Sequence, residues 1–152
     1  ATNIARVVGK YWLFFLVVLL DAGRAYLLLL LAEWYGVSGY LQTAVAIAIL
    51  LGNCYSPFLL FRGGKGVSTS LGLIAYCVPT AAPLYVGLWM VCALLTRVVG
   101  LASPGAALLG GMVLWLCGYS AAQAILGLCI GMIVVWRHRE NIDLWLRSIE
   151  RD

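Results

Sequence analysis

An all-α polytopic membrane bundle is the fold class this sequence predicts, and three observations predict it. Hydrophobic residues make up 64% of the 152 and charged residues 11%, where an ordinary soluble domain carries about 25% charged; the mean hydropathy is +1.00. The apolar residues come in long runs, at about 20 residues per spanning helix, which leaves no room for a soluble domain. Of the ten Lys and Arg, all but Arg24 collect between those runs, as the positive-inside rule expects of one membrane face. The expectation is a single membrane domain over residues 1–152 with about six crossings.

Residues 1–10 are polar and weakly basic, with Arg6 and Lys10. Residues 11–35 form the first crossing, interrupted by Asp21 and Arg24, which lie three residues apart on one helix face and can pair. Ionisable groups at depth are costly and usually face the interior, so the pair is either structural support or part of the lining of a substrate cavity. Gly36 to Gly39 make a turn, and residues 40–61 a second crossing with Asn53, Ser56 and Pro57 near its end. Residues 71–96 are broken by Pro79 and Pro83 and predict a hairpin of two short helices, because proline cannot continue a helix it sits inside. Residues 98–104 read as a loop, 105–117 as a crossing, 118–121 as a turn and 122–136 as the last crossing. From Arg137 the tail is charged and amphipathic.

The basic clusters check this topology. Arg6 and Lys10, then Arg62 and Lys65, then Arg97, then Arg137, Arg139, Arg147 and Arg151 are separated by an even number of crossings each time, so all fall on the cytoplasmic side. The turns left outside carry no Lys or Arg. The net charge of +4 therefore reads as topology and anion binding, not as a nucleic-acid surface, and no aromatic platform for bases is evident. The five cysteines lie in or beside apolar runs without a C-x-x-C pair, which argues for packed thiols over disulfides or metal ligation.

Three polar clusters carry candidate chemistry. In the first, Thr2, Asn3, Arg6 and Lys10 bring donors to the membrane surface, and an arginine fork grips phosphate or carboxylate. The second, R-G-G-K-G-V-S-T, has Gly63, Gly64 and Gly66 around Lys65, followed by Ser68 and Thr69. Glycines let backbone N–H groups approach an anion, and the lysine adds a point charge. The nucleotide spacing G-x-x-x-x-G-K-[ST] is absent, so a smaller phosphate fits better. The third, R-H-R-E-N-I, holds the sole histidine, His138, with Asn141 three residues on along the same helix face. Its setting predicts a partly exposed imidazole kept neutral by cationic neighbours. Glu140 is expected to pair with Arg137 or another arginine and hold the segment.

Together, A-T-N-I-A-R, G-N-C-Y-S-P-F-L-L-F-R-G-G-K-G-V-S-T and W-R-H-R-E-N-I resemble the three cytoplasmic motifs of the bacterial acyl-phosphate:glycerol-3-phosphate acyltransferases of the PlsY type, in order and in separation. The resemblance implies an integral enzyme of the bacterial inner membrane, with a cytoplasmic site. It would move a fatty acyl group from acyl phosphate to the 1-hydroxyl of sn-glycerol 3-phosphate, releasing phosphate and needing no cofactor or metal. Implied partners are glycerol 3-phosphate, long-chain acyl phosphate, the bilayer and the enzyme that makes the acyl phosphate. The resemblance assigns Arg6, His138 and Asn141 to activity. It assigns Gly63, Gly64, Lys65 and Gly66 to phosphate binding, and Glu140 to structural support. The family's first motif runs S-G-N-x-G-A-T-N-x-x-R, and Ala1, Thr2, Asn3 and Arg6 match its second half. A chain lacking its first helix and the motif's serine is thus expected, with seven crossings in the intact fold. Three positions depart from the pattern: Asn53 stands where histidine is common, Ser68 where alanine is usual, and Arg24 where lysine is usual. A membrane transporter or channel for an organic phosphate, and an inactive homologue, remain the alternatives.

Overall fold

The computed structural model describes Lys10, residues 12–61 and residues 63–149, and every secondary-structure element among them is helical. Helix α1 spans Trp12–Trp34 and α2 Gly39–Cys54. They are joined by a turn in which Gly36 and Gly39 take positive φ of 81° and 58°, a conformation that favours glycine. A 3-10 turn at Pro57–Leu59 leads into the glycine loop, from which α3, Val67–Cys77, starts. A second 3-10 turn, Pro79–Ala81, precedes α4, Ala82–Thr96; α5 is Val99–Leu116, α6 Ala121–Arg137 and α7 Arg139–Ile149.

Four stretches are long and apolar enough to cross a membrane, Trp12–Trp34, Gly39–Leu59, Pro79–Thr96 and Val99–Leu116, and a fifth if α6 and α7 count as one span bent by 57°. The expected hairpin over residues 71–96 is present, with Pro79 and Pro83 both in first-turn positions where a missing N–H costs nothing. Its first arm differs: α3 begins at Val67, inside the glycine cluster, and at 11 residues it rises only about 16 Å, short of a full crossing.

Residues 98–104 were expected as a loop, but only Val98, the extended N-cap residue, lies outside α5; 99–104 are its first turns, with Pro104 inside the helix. The proline has no N–H to donate to the Gly100 carbonyl four residues back, so one hydrogen bond is missing near the helix start. Ser103 turns its hydroxyl back onto the Val99 carbonyl at 3.2 Å and receives the Trp89 indole N–H at 3.1 Å, which ties this first part of α5 to α4.

Helices associate here through small residues. In lipid the apolar surface drives no association, so close backbone approach must. Ala107 and Gly111 on α5 meet Gly127 and Gly131 on α6, each pair four apart. A methyl on Gly111 would lie 2.7 Å from the Gly127 carbonyl oxygen, and one on Gly131 3.1 Å from that of Ala107. Gly72 of α3 is pressed against the Ala22 backbone of α1 in the same way. The leucines of α1 and α4 that point outward, among them Leu19, Leu27, Leu94 and Leu95, face lipid.

Helix α6 is pinned to both ends of α3. At one end Ser120 and Gln123 form a capping box, and Gln123 Nε2 donates to the Cys77 carbonyl at 2.9 Å. At the other, Arg137 reaches the loop that precedes α3.

Candidate active site

Two of the loop's glycines, Gly63 and Gly66, have separate physical reasons to be glycine, and the third, Gly64, ties the loop to α2 through its backbone. Gly63 lies on the last turn of α2: a methyl there would fall 2.9 Å from the Cys54 carbonyl carbon and closer still to the Asn53 oxygen. The Gly64 N–H donates to the Asn53 carbonyl at 3.1 Å. Gly66 has φ of 82° and faces Leu50 Cδ1 at 2.7 Å and Cys54 Sγ at 3.0 Å from where a methyl would be. The loop therefore folds back on α2 before α3 starts.

From the opposite side, Arg137 donates from Nη2 to the Gly63 carbonyl at 3.0 Å and from Nε to that of Gly64 at 3.2 Å, while its guanidinium lies over the Tyr55 ring, 4.8 Å from the centroid. The expected Glu140–Arg137 pair is not formed, because the guanidinium is committed to these backbone oxygens. Glu140 is exposed in the first turn of α7, where a carboxylate still favours the helix N-terminus.

The second and third polar clusters meet directly. Lys65 Nζ donates to Asn141 Oδ1 at 2.6 Å, across 76 residues of sequence. The Asn141 amide is backed by α5: a methyl on Gly100 would overlap it. His138 sits in the bend between α6 and α7, its carbonyl receiving the N–H groups of Asn141 at 2.9 Å and Ile142 at 3.0 Å. The ring was expected to be partly exposed; it is 3% exposed, because the bend folds it back onto α6. There Nδ1 donates to the Val134 carbonyl at 2.8 Å, which leaves Nε2 as the acceptor. Burial lowers its pKa first; the Val134 bond acts the other way, and the charges of Lys65 and Arg137 lower it further. The imidazole is neutral at neutral pH.

Asp21 and Arg24 are 3.7 Å apart, and Arg24 Nη2 also donates to Asn53 Oδ1 at 2.7 Å. The pair thus ends on the residue whose backbone holds Gly64. Ser68 is half-buried, and Thr69 is fully buried, with Oγ1 lacking a hydrogen-bond partner among the described residues. Consecutive helical residues are about 100° apart, so Ser68, Thr69 and Ser70 cannot all face the loop, and Thr69 turns inward. Lys10 is exposed. Thr2, Asn3 and Arg6 lie outside the described residues. Sequence reasoning missed the parts played by Arg137, Asn53 and Gly100. The arginine had a signal in R-H-R, whereas Gly100 had none.

A family model described as glycerol-3-phosphate acyltransferase matches residues 1–148. The chain belongs to the glycerol-3-phosphate acyltransferase family. Curated members similar to it include glycerol-3-phosphate acyltransferases of Aquifex aeolicus, 34% identical over 151 residues that cover 99% of this chain and 78% of that protein, and of Methylobacillus flagellatus, 37% identical over 150 residues that cover 99% and 76%. Among solved structures, PlsY, an integral membrane glycerol 3-phosphate acyltransferase, superposes in its glycerol 3-phosphate form with a TM-score of 0.87 at 33% identity, covering 97% of this chain and 74% of that one. Its lysophosphatidic acid form superposes equally well. This acyltransferase is accordingly an integral membrane protein.

Proposed function

We propose that the chain transfers a fatty acyl group from acyl phosphate to the 1-hydroxyl of sn-glycerol 3-phosphate. The ester bond to the glycerol oxygen forms as the bond from the acyl carbon to phosphate oxygen breaks, and the hydroxyl proton leaves to His138 Nε2 or to the departing phosphate. The observation that carries the reading is the Lys65–Asn141 contact beside His138. It brings a glycine loop with a cation and the chain's only imidazole into one site.

Acyl phosphate is already activated, so the enzyme's task is to hold two anions together with the hydroxyl at the carbonyl. Orientation of that kind supplies up to about 7–11 kcal/mol. Lys65 and the loop N–H groups other than that of Gly64 stabilise phosphate charge, Asn141 and His138 orient glycerol 3-phosphate, and Arg6 and Lys10 add cations with Thr2 and Asn3 as neutral donors. The lipid-facing helices receive the acyl tail.

The protein purified in detergent should release phosphate from palmitoyl phosphate only when glycerol 3-phosphate is added. Acyl transfer from acyl-CoA but not from acyl phosphate would overturn the reading. We place the site on the cytoplasmic side of the bacterial inner membrane, because the helix ends around the glycine loop carry Lys65, Arg97, Arg137 and Arg139 while the opposite turns carry no Lys or Arg. Trypsin should then cut after Lys65 in inside-out vesicles and spare it in right-side-out ones; the reverse pattern would place the site outside.

A further inference from the structure

We propose that Arg137 is a positioning residue for the anion seat. Its guanidinium occupies and neutralises two consecutive carbonyl oxygens of the glycine loop, so that these do not face the substrate phosphate. Three contacts carry the assignment: Nη2 to Gly63 O at 3.0 Å, Nε to Gly64 O at 3.2 Å, and the guanidinium plane over Tyr55 at 4.8 Å. From the other side the Gly64 N–H is taken by the Asn53 carbonyl at 3.1 Å. Both polar backbone groups of Gly64 are therefore spent inside the protein, and the loop is held between α2 and α6.

The chemistry of an anion seat requires such a device. Glycine loses more conformational freedom on ordering than any other residue. A loop rich in glycine can therefore turn carbonyl oxygens toward a phosphate as easily as N–H groups, and carbonyl oxygens repel it. A charged donor bonds a carbonyl about twice as strongly as a neutral one. The planar fork of arginine spans two neighbouring carbonyls, which the point charge of lysine cannot do with one direction of approach. Arg137 also immediately precedes His138, so the same turn of α6 that carries the imidazole fixes the loop. The neighbouring Arg139 does not duplicate this, since its guanidinium stacks on Trp136 and donates to the Trp136 carbonyl at 3.1 Å.

The assignment depends on the loop being the phosphate seat, and the experiment separates the two. Arg137→Lys and Arg137→Gln are reconstituted in lipid. Each substrate is then titrated with the other saturating, and trypsin cleavage after Lys65 is followed by mass spectrometry without substrate. Arg137→Lys should raise KM for the phosphate substrate held by the loop about ten-fold, equivalent to ~1.4 kcal/mol. In the same variant kcat should change by no more than about three-fold. Arg137→Gln should do more, and in both variants cleavage after Lys65 should quicken while cleavage after Arg97 does not. Unchanged cleavage after Lys65 would overturn the positioning role. Quickened cleavage with both KM values unchanged would overturn the seat itself. Should either variant fail to fold, Tyr55→Leu leaves Arg137 and its hydrogen bonds and removes only the ring beneath it. Its KM should rise in the same direction by about two- to five-fold, and no rise would count against the assignment.

Discussion

Adding one methyl to each loop glycine separates folding from binding. At Gly64 the new carbon would meet only Asn53 Nδ2 at 3.3 Å and Gly66 N at 3.9 Å, and the backbone there is not left-handed. Reduced freedom of the unfolded chain returns about 0.4–1 kcal/mol, so Gly64→Ala should be close to neutral for stability. At Gly66 the left-handed φ of 82° costs a residue with Cβ about 1–2 kcal/mol. Contact at 2.7 Å with Leu50, a side chain able to shift, adds about 1 kcal/mol or more. Gly66→Ala should therefore lose about 2–4 kcal/mol, a fall in Tm of about 5–15 °C for a chain of this length. Gly63→Ala should lose more than either, because its methyl meets the Asn53 and Cys54 backbone, which cannot yield without moving the end of α2.

The assay is the fraction of protein recovered as a single species after stepwise heating in detergent, measured beside the steady-state kinetics of each variant. Gly64→Ala should keep its Tm and raise KM for glycerol 3-phosphate more than it lowers kcat, as a uniform binding loss does. A Tm for Gly64→Ala as low as that of Gly66→Ala would refute the geometric argument. An unchanged KM with a reduced kcat would refute the loop as a ground-state binding element.

His138→Ala should lower kcat by about a hundred-fold or more, and near-normal turnover would remove the imidazole from the mechanism. Because burial holds its pKa below the ordinary histidine value, the group is already neutral at neutral pH. The wild-type rate should therefore stay level through neutrality and fall only in acid beyond that value, and a rise on acidification would contradict the neutral role. Gly100→Ala, which displaces the Asn141 amide, should raise KM for glycerol 3-phosphate without changing expression; kinetics like the parent's would show that Asn141 does not need that wall. Gly127→Leu should abolish recovery of folded protein, since even a Cβ there would lie 3.0 Å from Gly111 Cα and forced separation of α5 from α6 costs more than about 4 kcal/mol.

What the sequence made legible was whatever depends on period and punctuation. The apolar runs, the prolines at 79 and 83 and the clustered cations sufficed to place the hairpin, the amphipathic tail and the loop between α2 and α3. The start of α5 was misread because Pro104 looks like a loop residue, whereas it lies inside the helix and only one backbone hydrogen bond near the helix start is lost to it. The exposure of His138 was misread because a bend of 57° between two helices leaves no periodic trace. Glu140 was expected to pair with Arg137 or another arginine, and the Arg137 partner was suggested by sequence proximity. The actual partners, the carbonyls of Gly63 and Gly64, lie more than 70 residues away and belong to the backbone, where no residue type announces an acceptor.

Asn53, where the resemblance implies a histidine, has a defined place in the hydrogen bonding around the loop. Asn53 links Arg24 through its side chain to Gly64 through its backbone, and Arg24 is itself partnered by Asp21. On the α1–α2 side of the loop, therefore, charge is balanced and the groups relay hydrogen bonds without a proton to give. On the α6–α7 side, Lys65 and Arg137 lie beside a neutral imidazole, while Glu140 is exposed and makes no ion pair with Arg137. Positive potential and proton-accepting capacity thus lie on the same side of the glycine loop. On the proposed function, an anionic substrate drawn by the first is delivered to the second.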